Sequence, residues 1–202
     1  MQFLPDGPHV PDELIQSLED ENVVLFCGAG VSKNVGLPDF GELVMKVYRH
    51  LHLPVRKSGE PENEEEYDEF GAKHFDRVLG LLEARLGNRA VVRQAVQEIL
   101  EIPPGAPLPF HSSLLELART PGGACRLVTT NLDRGFVIAA PGPFPCDVAP
   151  MLPPARADKW KRLAHLHGLI GADGRSLEDL ILTSADFGDA YITSGWASSL
   201  TA

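Results

Sequence analysis

Cysteine pairs, an excess of basic residues and long apolar runs are all missing from this chain of 202 residues. Its three cysteines, Cys27, Cys125 and Cys146, are far apart and form no C-x-x-C pair, which argues against a structural zinc site. Cys27 and Cys125 lie in or beside apolar runs, so we expect them to be core thiols in a reducing compartment.

The net charge and the hydropathy pattern restrict the classes of partner. The formal net charge is −10, which argues against sequence-independent binding to nucleic acid but not against one small anionic cofactor in a local pocket. No apolar run approaches the roughly 20 residues of a membrane span. The N-terminus also lacks a basic segment followed by an apolar core. We therefore expect a cytoplasmic protein without membrane contact.

The apolar periodicity predicts an α/β fold. Short apolar runs predict strands at residues 23–27, 126–130, 163–166 and 180–183, and a short strand is compatible with residues 147–149. Helical spacing appears at residues 12–20, 40–51, 75–82, 91–100 and 111–119, and from 185 to about 200 after an N-cap at Ser184. This alternation predicts a Rossmann-like parallel sheet with helices on both faces. The run at 23–27 is typical of a central strand buried on both faces.

The segment between the first two predicted strands is too long for a simple crossover. We expect residues 1–202 to form a single domain with a helical insertion at about 42–109. Within it, residues 56–69 are crowded with acidic side chains and contain little apolar surface, which predicts a solvated or mobile loop.

Three predicted strands end in glycine-rich or polar residues, at 28–30, 130–133 and 167–168. Taken singly, each has a structural interpretation: a glycine turn, a helix cap at Ser32 or Asp133, a turn at Asn131, and a satisfied histidine at His167. Parallel strands bring their carboxyl ends to one rim, where ligands bind in open α/β sheets. Their convergence therefore favours a ligand site over three separate structural roles.

The glycine-rich loop is not the usual dinucleotide fingerprint, because Lys33 stands where that fingerprint has its third glycine. Residues 28–40, GAGVSKNVGLPDF, resemble the cofactor loop of sirtuins, which reads Gly-Ala-Gly-x-Ser and then Gly-Ile-Pro-Asp-Phe-Arg. Residues 129–133, TTNLD, resemble the sirtuin Gln-Asn-Ile-Asp motif, and His167-Gly168 resembles their catalytic His-Gly pair. The motifs occur in the same order, and the resemblance spans about residues 23–191.

The sequence departs from the protein-deacylating sirtuins in three ways. The four-cysteine zinc module is absent, Gly41 stands where the family has arginine, and Thr130 stands where it has glutamine. The motifs are more similar to the zinc-free sirtuin-like domains of bacterial anti-phage systems, which break down NAD. Those domains read Thr-Thr-Asn-x-Asp and Leu-His-Gly, the latter as at residues 166–168. The resemblance implies NAD as the substrate and no metal.

The resemblance also implies a cofactor-binding set and a catalytic set of residues. In the catalytic set, Asn131 would orient the ribose or the attacking water, and Asp133 would bond the carboxamide or buttress the site. His167 would act as general base, for which an ordinary imidazole pKa of about 6.5 is suitable. In the cofactor-binding set, the diphosphate would be held by Gly28, Ala29, Gly30 and Ser32. The nicotinamide would lie against Asp39 and Phe40. The set also includes two flanking residues, Pro38 and Thr130.

The resemblance to this branch implies an NAD glycohydrolase of anti-phage defence. An NAD-dependent protein deacylase, a non-catalytic module that binds NAD or ADP-ribose, and an interaction module that binds no nucleotide remain alternatives. Sirtuin-like folds normally continue to at least one more parallel strand than residues 1–202 supply. We therefore expect the domain to be incomplete at its C-terminus, and to be completed or regulated by a second copy or by a partner protein.

Overall fold

The protein is an α/β, Rossmann-like domain with a parallel sheet and helices, as the alternation of strands and helices predicts. The computed structural model describes residue 2 and residues 5–142, 144–149, 152, 161–172 and 176–193. Its sheet contains four strands, β1 Leu25–Cys27, β2 Leu127–Thr129, β3 Cys146–Val148 and β4 Leu163–His165. The order is β1-β2-β4-β3, and every neighbouring pair is parallel.

Nine α-helices occur in the described residues. They are α1 Asp12–Glu19, α2 Gly30–Lys33, α3 Phe40–His50, α4 Glu64–Gly71, α5 Phe75–Leu86, α6 Arg89–Ile99, α7 Pro109–Ala118, α8 Gly135–Ala139 and α9 Ser184–Gly188. A 3₁₀ turn, Leu177–Asp179, precedes α9, and a π-helical segment, Asp189–Thr193, follows it. None of the helices in the described ranges is both long enough and apolar enough to cross a bilayer.

Helices α2 to α7 all lie between β1 and β2 in the chain, and three of them share a core. The buried faces of α3, α5 and α6 meet there, with Val44, Val47 and Leu79 fully buried. The same core includes Leu132, which follows β2 at the carboxyl rim of the sheet, and Leu182, which lies just before α9. The helical segment therefore packs over the rim where the polar strand ends lie.

The faces of the sheet carry alternate residues of each strand. Leu127 and Leu163 pack with Leu115 of α7 and Phe136 of α8 on one face. Val128 and Ala164 belong to a separate cluster with Leu166. This alternation is the ordinary consequence of the two-residue period of a strand.

Strand β1 is not a central strand in the described sheet, so that prediction is wrong. It pairs with β2 on one side and lies at the edge of the four-stranded order. Leu25 and Cys27 pack into the cluster under α7 and α8, whereas Phe26 points the other way and is 66% exposed. An apolar run at 23–27 cannot distinguish these positions, because it contains no polar residue to mark the exposed face.

The prediction of a solvated loop at 56–69 is wrong for its second half, because residues 64–71 form α4. The Asn63 side chain caps the helix by accepting from the Glu66 amide, and three glutamates in the first turn favour a helix N-terminus. Glu66 is buried, where it accepts a hydrogen bond from the Tyr48 hydroxyl at 2.7 Å and pairs with Arg85 at 2.7 Å. The acidic run shows no apolar periodicity, because the contact that anchors α4 to the core is the ion pair of Glu66 and Arg85.

Residues 180–183 do not form the predicted strand. Their backbone groups bond to side chains and loops instead: the Leu180 carbonyl accepts from Arg93 at 2.6 Å, and the Ile181 amide donates to the His167 carbonyl at 2.9 Å. The N-cap of α9 is Thr183 rather than Ser184, because the Thr183 hydroxyl accepts from the Asp186 amide. The remainder of the helix predicted to reach residue 200 lies outside the described residues from 194 onward.

Candidate functional site

The carboxyl ends of β1, β2 and β4 surround one cavity of about 200 Å³ beneath the start of α3. The apolar walls are Leu43 of α3, Leu100 at the C-terminus of α6, Leu182 before α9 and Phe187 of α9. The predicted site residues that line the cavity are Ala29, Ser32, Pro38, Asp39, Phe40, Thr130, Asn131, Asp133 and His167. Residues about 140 positions apart in sequence therefore share one small volume.

Two predicted residues, Gly28 and Gly30, are not among those that line the cavity. A Cβ atom at position 28 would lie 3.8 Å from the Thr130 hydroxyl oxygen, which is ordinary contact. Gly30 is the first residue of α2, and a Cβ atom there would meet nothing within 4 Å. The two glycines flank Ala29, which does line the cavity.

A buried hydrogen-bond network lies at the floor of the cavity, centred on the Ser32 hydroxyl. Ser32 Oγ lies 2.7 Å from Asp133 Oδ2, 3.0 Å from Asn131 Nδ2 and 3.2 Å from His111 Nε2. His111, on α7, is the member that sequence reasoning missed. It follows no strand and belongs to no motif, and only its position in the fold brings it to Ser32.

The proton positions in this network follow from its donors and acceptors. Ser32 has one proton, and the short contact to the Asp133 carboxylate makes that oxygen its acceptor. His111 must then donate from Nε2, which leaves Nδ1 without a proton. That buried atom has no hydrogen-bond partner in the described structure. Burial lowers the pKa of His111, against an opposing effect of the Asp133 charge, and this direction agrees with a ring that carries a single proton.

The network is not a Ser-His-Asp triad. In a triad the carboxylate orients the imidazole and the serine proton points to the histidine. Here Asp133 bonds Ser32 directly, and its other oxygen accepts from the Gly135 amide at 2.8 Å. Position 135 must be glycine, because a Cβ atom there would overlap the His111 ring. The network thus holds Asn131 and Asp133 in place rather than activating Ser32 as a nucleophile.

The backbone of Asn131 is also held on both sides. Its amide donates to the Thr129 hydroxyl at 3.0 Å, which itself donates to the Cys27 carbonyl at 3.0 Å. Its carbonyl is the partner of His165 Nδ1 at 3.2 Å. These bonds connect β1, β2 and β4, so the position of Asn131 is set by the sheet itself.

His167 lies at the opposite wall, in an aromatic setting. The ring packs edge-to-face on Phe187, with 5.0 Å between centroids, and Nε2 lies 2.9 Å from the Tyr191 hydroxyl. Burial lowers the pKa of His167 to about 4, although a hydrogen bond with the Thr130 backbone opposes this shift. At pH 7 the protonated fraction of His167 is therefore smaller than that of an ordinary imidazole, and the ring is neutral. Sequence reasoning missed Phe187 and Tyr191, whose four-residue spacing in a helical stretch was the available signal.

Asp39 marks the entrance to the cavity and serves as the N-cap of α3. One carboxylate oxygen accepts from the Glu42 amide at 2.9 Å, and the other pairs with Lys33 at 2.6 Å. The backbone hydrogen bond from Glu42, followed by the Lys33 contact, lowers the pKa of Asp39. Gly41 follows where sirtuins have arginine, and a Cβ atom there would lie 2.8 Å from the Phe75 ring. Packing of α5 therefore takes the place of that side chain.

The charges of the lining suit a group that is neutral or positive. Carboxylates of Asp39 and Asp133 line the cavity, and its described lining contains no lysine or arginine. The described part of the chain also contains no group of three or more His, Cys, Asp or Glu side chains arranged to hold a metal ion.

Comparisons with known proteins provide one relative. No protein-family model matches the chain. Over 200 residues the chain is 33% identical to a protein of Sinorhizobium fredii (strain NBRC 101917 / NGR234) described as "Uncharacterized protein y4cA". The match covers 95% of this chain and 16% of that protein, so the chain spans a small part of its relative's length. The sirtuin resemblance stays a prediction.

Proposed function

We propose that the protein is a cytosolic NAD glycohydrolase that cleaves nicotinamide from NAD and acts in bacterial anti-phage defence. The observation that carries the proposal is the enclosure of one cavity by residues 29–40, 130–133 and 167. These are the three segments that resemble the sirtuin motifs, and each contributes polar atoms to the same volume. The anti-phage role rests on the sequence resemblance alone.

The reaction breaks the bond between the ribose anomeric carbon and the nicotinamide nitrogen. The bonding electrons leave with nicotinamide, and the anomeric carbon gains positive charge before a water oxygen bonds to it. A cavity whose described charges are carboxylates favours that charge, and fixed dipoles cost no reorganisation during the reaction. The products are nicotinamide, ADP-ribose and the proton lost by the water.

Asn131 and His167 would handle the attacking water. The amide nitrogen of Asn131 is held by Ser32, which leaves its amide oxygen to accept a hydrogen bond from water or a ribose hydroxyl. His167 is neutral and would accept the water proton at a ring nitrogen. Its lowered pKa makes it a weak base, which is sufficient when the attacked carbon is already strongly electrophilic.

The test is NAD consumption by the purified protein, followed as nicotinamide release without any acylated peptide. His167→Ala and Asn131→Ala should abolish turnover, and His167→Ala should keep NAD binding within a few-fold, since loss of a general base acts on the chemical step. His50→Ala is the matched control, because His50 is a surface histidine of α3 paired with Glu98. Parental rates in both site variants would refute the assignment, and a requirement for acylated peptide would indicate a deacylase.

A second candidate is a module that binds NAD or ADP-ribose without turnover. It is favoured by the contact between His167 Nε2 and the Tyr191 hydroxyl, which occupies a nitrogen that a general base would use. Equilibrium binding of NAD with no nicotinamide release, at high protein concentration and over hours, would select this function.

A further inference from the structure

Both ring nitrogens of His167 are engaged by other groups of the protein. Nε2 lies 2.9 Å from the Tyr191 hydroxyl. A hydrogen bond with the Thr130 backbone raises the pKa of the ring, so the partner there is the carbonyl, which accepts from the other nitrogen, Nδ1. A neutral imidazole has one N–H, and this bond uses it. Nε2 is therefore an acceptor, and the Tyr191 hydroxyl donates to it.

The Tyr191 hydroxyl occupies the position that a reacting group needs. A general base must lie within hydrogen-bond reach, about 2.6–3.2 Å, of the group whose proton it removes. The phenol oxygen already lies at 2.9 Å from Nε2, in place of the attacking water or a ribose hydroxyl. Burial raises the pKa of Tyr191, so the hydroxyl keeps its proton at neutral pH. In this arrangement His167 has no free nitrogen for the water proton.

The Tyr191 ring belongs to an aromatic cluster at one wall of the cavity. It stacks on Phe187, with 6.0 Å between centroids and 19° between ring planes, and it packs edge-to-face on His167 at 6.1 Å. Phe187 and His167 line the cavity. The cavity volume of about 200 Å³ is below the roughly 300–1,000 Å³ of typical ligand sites. A ligand as large as NAD therefore requires a wall of the cavity to move.

The segment that carries Tyr191 is held less firmly than the helix before it. Helix α9 is anchored through Asp186, whose carboxylate pairs with Arg93 and with Arg89, each at 2.6 Å. Tyr191 lies beyond this anchor, in the π-helical segment Asp189–Thr193, none of whose residues is fully buried. Turns of this kind are rare and occur frequently at functional sites. The segment can therefore move away from His167 while α9 stays in place.

We propose that Tyr191 is a latch on the candidate site: its hydroxyl occupies His167 Nε2 in the resting protein and is displaced when NAD binds. Displacement frees Nε2 for the attacking water and widens the cavity at its aromatic wall. The identity of the ligand rests on the proposed function. The latch itself rests on the contacts of Tyr191 with His167 and Phe187.

The test compares Tyr191→Phe with the parent, each as the whole chain. The substitution keeps the ring and removes only the hydroxyl. Tyr67→Phe is the matched control, because Tyr67 lies on α4, where its ring packs against the Arg56 guanidinium. Calorimetry gives the affinity for a non-hydrolysable carbocyclic NAD analogue, and initial rates of nicotinamide release from NAD give kcat and KM.

Tyr191→Phe should bind the analogue about three- to tenfold more tightly than the parent, because the ligand no longer competes with a hydrogen bond inside the protein. KM for NAD should fall by a similar factor while kcat stays within about twofold, because the hydroxyl has already left Nε2 in the bound complex. Tyr67→Phe should match the parent in all three quantities. An affinity of Tyr191→Phe within about twofold of the parent would overturn the proposal. A large fall in kcat would also overturn it, since Tyr191 would then carry a proton in the reaction.

Fluorotyrosine labelling of the parent gives a second measurement, which does not depend on the folding of Tyr191→Phe. The chain has three tyrosines, so the ¹⁹F signal of Tyr191 is assigned by removing Tyr48 and Tyr67 in turn. The analogue should shift the Tyr191 signal and leave the other signals in place. Binding of the analogue without a shift of the Tyr191 signal would contradict the latch.

Failure of the proposed function gives a different pattern from failure of the latch. If parent and variant bind the analogue but do not cleave NAD, hydrolysis fails, and tighter binding with the ¹⁹F shift still supports the latch. If both proteins cleave NAD with equal KM, the proposed function stands and the latch fails. If neither protein binds the analogue, both proposals are overturned.

Discussion

Arg93 offers the most severe single perturbation of this fold. Its side chain is fully buried in α6 and joins the helical segment to the residues before α9. The guanidinium contacts two carboxylates and three carbonyls: Glu83 at 2.9 Å, Asp186 at 2.6 Å, Leu177 at 3.0 Å, Glu178 at 3.2 Å and Leu180 at 2.6 Å. It therefore replaces the strand partner that residues 180–183 lack in the described sheet.

Substitution of Arg93 by methionine keeps much of the volume and removes the charge and every donor. Breaking a buried ion pair from one side costs about 3–5 kcal/mol, because the remaining charge stays buried without compensation. Glu83 retains Arg89 as a partner at 3.0 Å, which places the expected loss near the lower end, about 3 kcal/mol. For a domain of this size that corresponds to a fall in melting temperature of about 6–12 °C.

The assay is urea unfolding of the whole chain, with Arg89→Met as the matched control. Arg89 contacts the same two carboxylates, but its side chain is 48% exposed, so its loss should cost less than about 1 kcal/mol. Both arginines pair with the same two carboxylates, so a larger loss of unfolding free energy in Arg93→Met than in Arg89→Met reports the burial of Arg93 and not the number of its ion pairs. Arg93→Met within 1 kcal/mol of the parent, or equal to Arg89→Met, would refute the reasoning.

Four further predictions concern the site. Burial lowers the pKa of His167 to about 4, so the unfolded chain, with an ordinary pKa of about 6.5, takes up a proton first as the pH falls. The stability from this group is therefore complete above about pH 6.5, and about 3 kcal/mol is lost as the pH falls to about 4. The free energy of urea unfolding should depend less steeply on pH in His167→Ala than in the parent. Tyr191→Phe keeps the ring stacked on Phe187 but removes the hydroxyl from His167 Nε2; the ¹⁵N chemical shift of Nε2 should change because that nitrogen loses its partner, and an unchanged shift would contradict the contact. Gly135→Ala forces the His111 ring aside and should cost about 2 kcal/mol or more, measured by thermal unfolding; a neutral substitution would exclude the close packing. Chelators should change neither melting temperature nor NAD cleavage, whereas stoichiometric bound zinc would contradict the metal-free expectation.

Local patterns in the sequence carried most of the secondary structure. The amphipathic spacing at 40–51 predicts α3, and the structure confirms the helix at Phe40–His50. The structure adds a capping box formed by Asp39 and Glu42. Strands at 126–130 and 163–166 are confirmed as β2 and β4, each shorter by one or two residues. These elements were predictable because the information for them lies within a few residues of each position.

The errors occurred where distant partners decide the outcome. Residues 180–183 have the composition of a strand, but the Leu180 carbonyl accepts from Arg93 and the Ile181 amide donates to the His167 carbonyl. Glu66 has the composition of a solvated residue, but Tyr48 and Arg85 bury it. None of these partners is adjacent in sequence to the residue that it contacts, so no local pattern predicts the contacts.

By itself, the sequence determined that strand ends at 28–30, 130–133 and 167 would share one rim, because a parallel sheet orients its strands alike. It also determined the residue types offered there: an amide, carboxylates, a hydroxyl and an imidazole. Only the tertiary structure decided the state of those groups. It placed His111 and Asp133 around Ser32, and it enclosed His167 with Phe187 and lowered its pKa to about 4. The physical reason is that hydrogen-bond partners, burial and local charge are properties of neighbours in space, which the order of residues along a chain does not record.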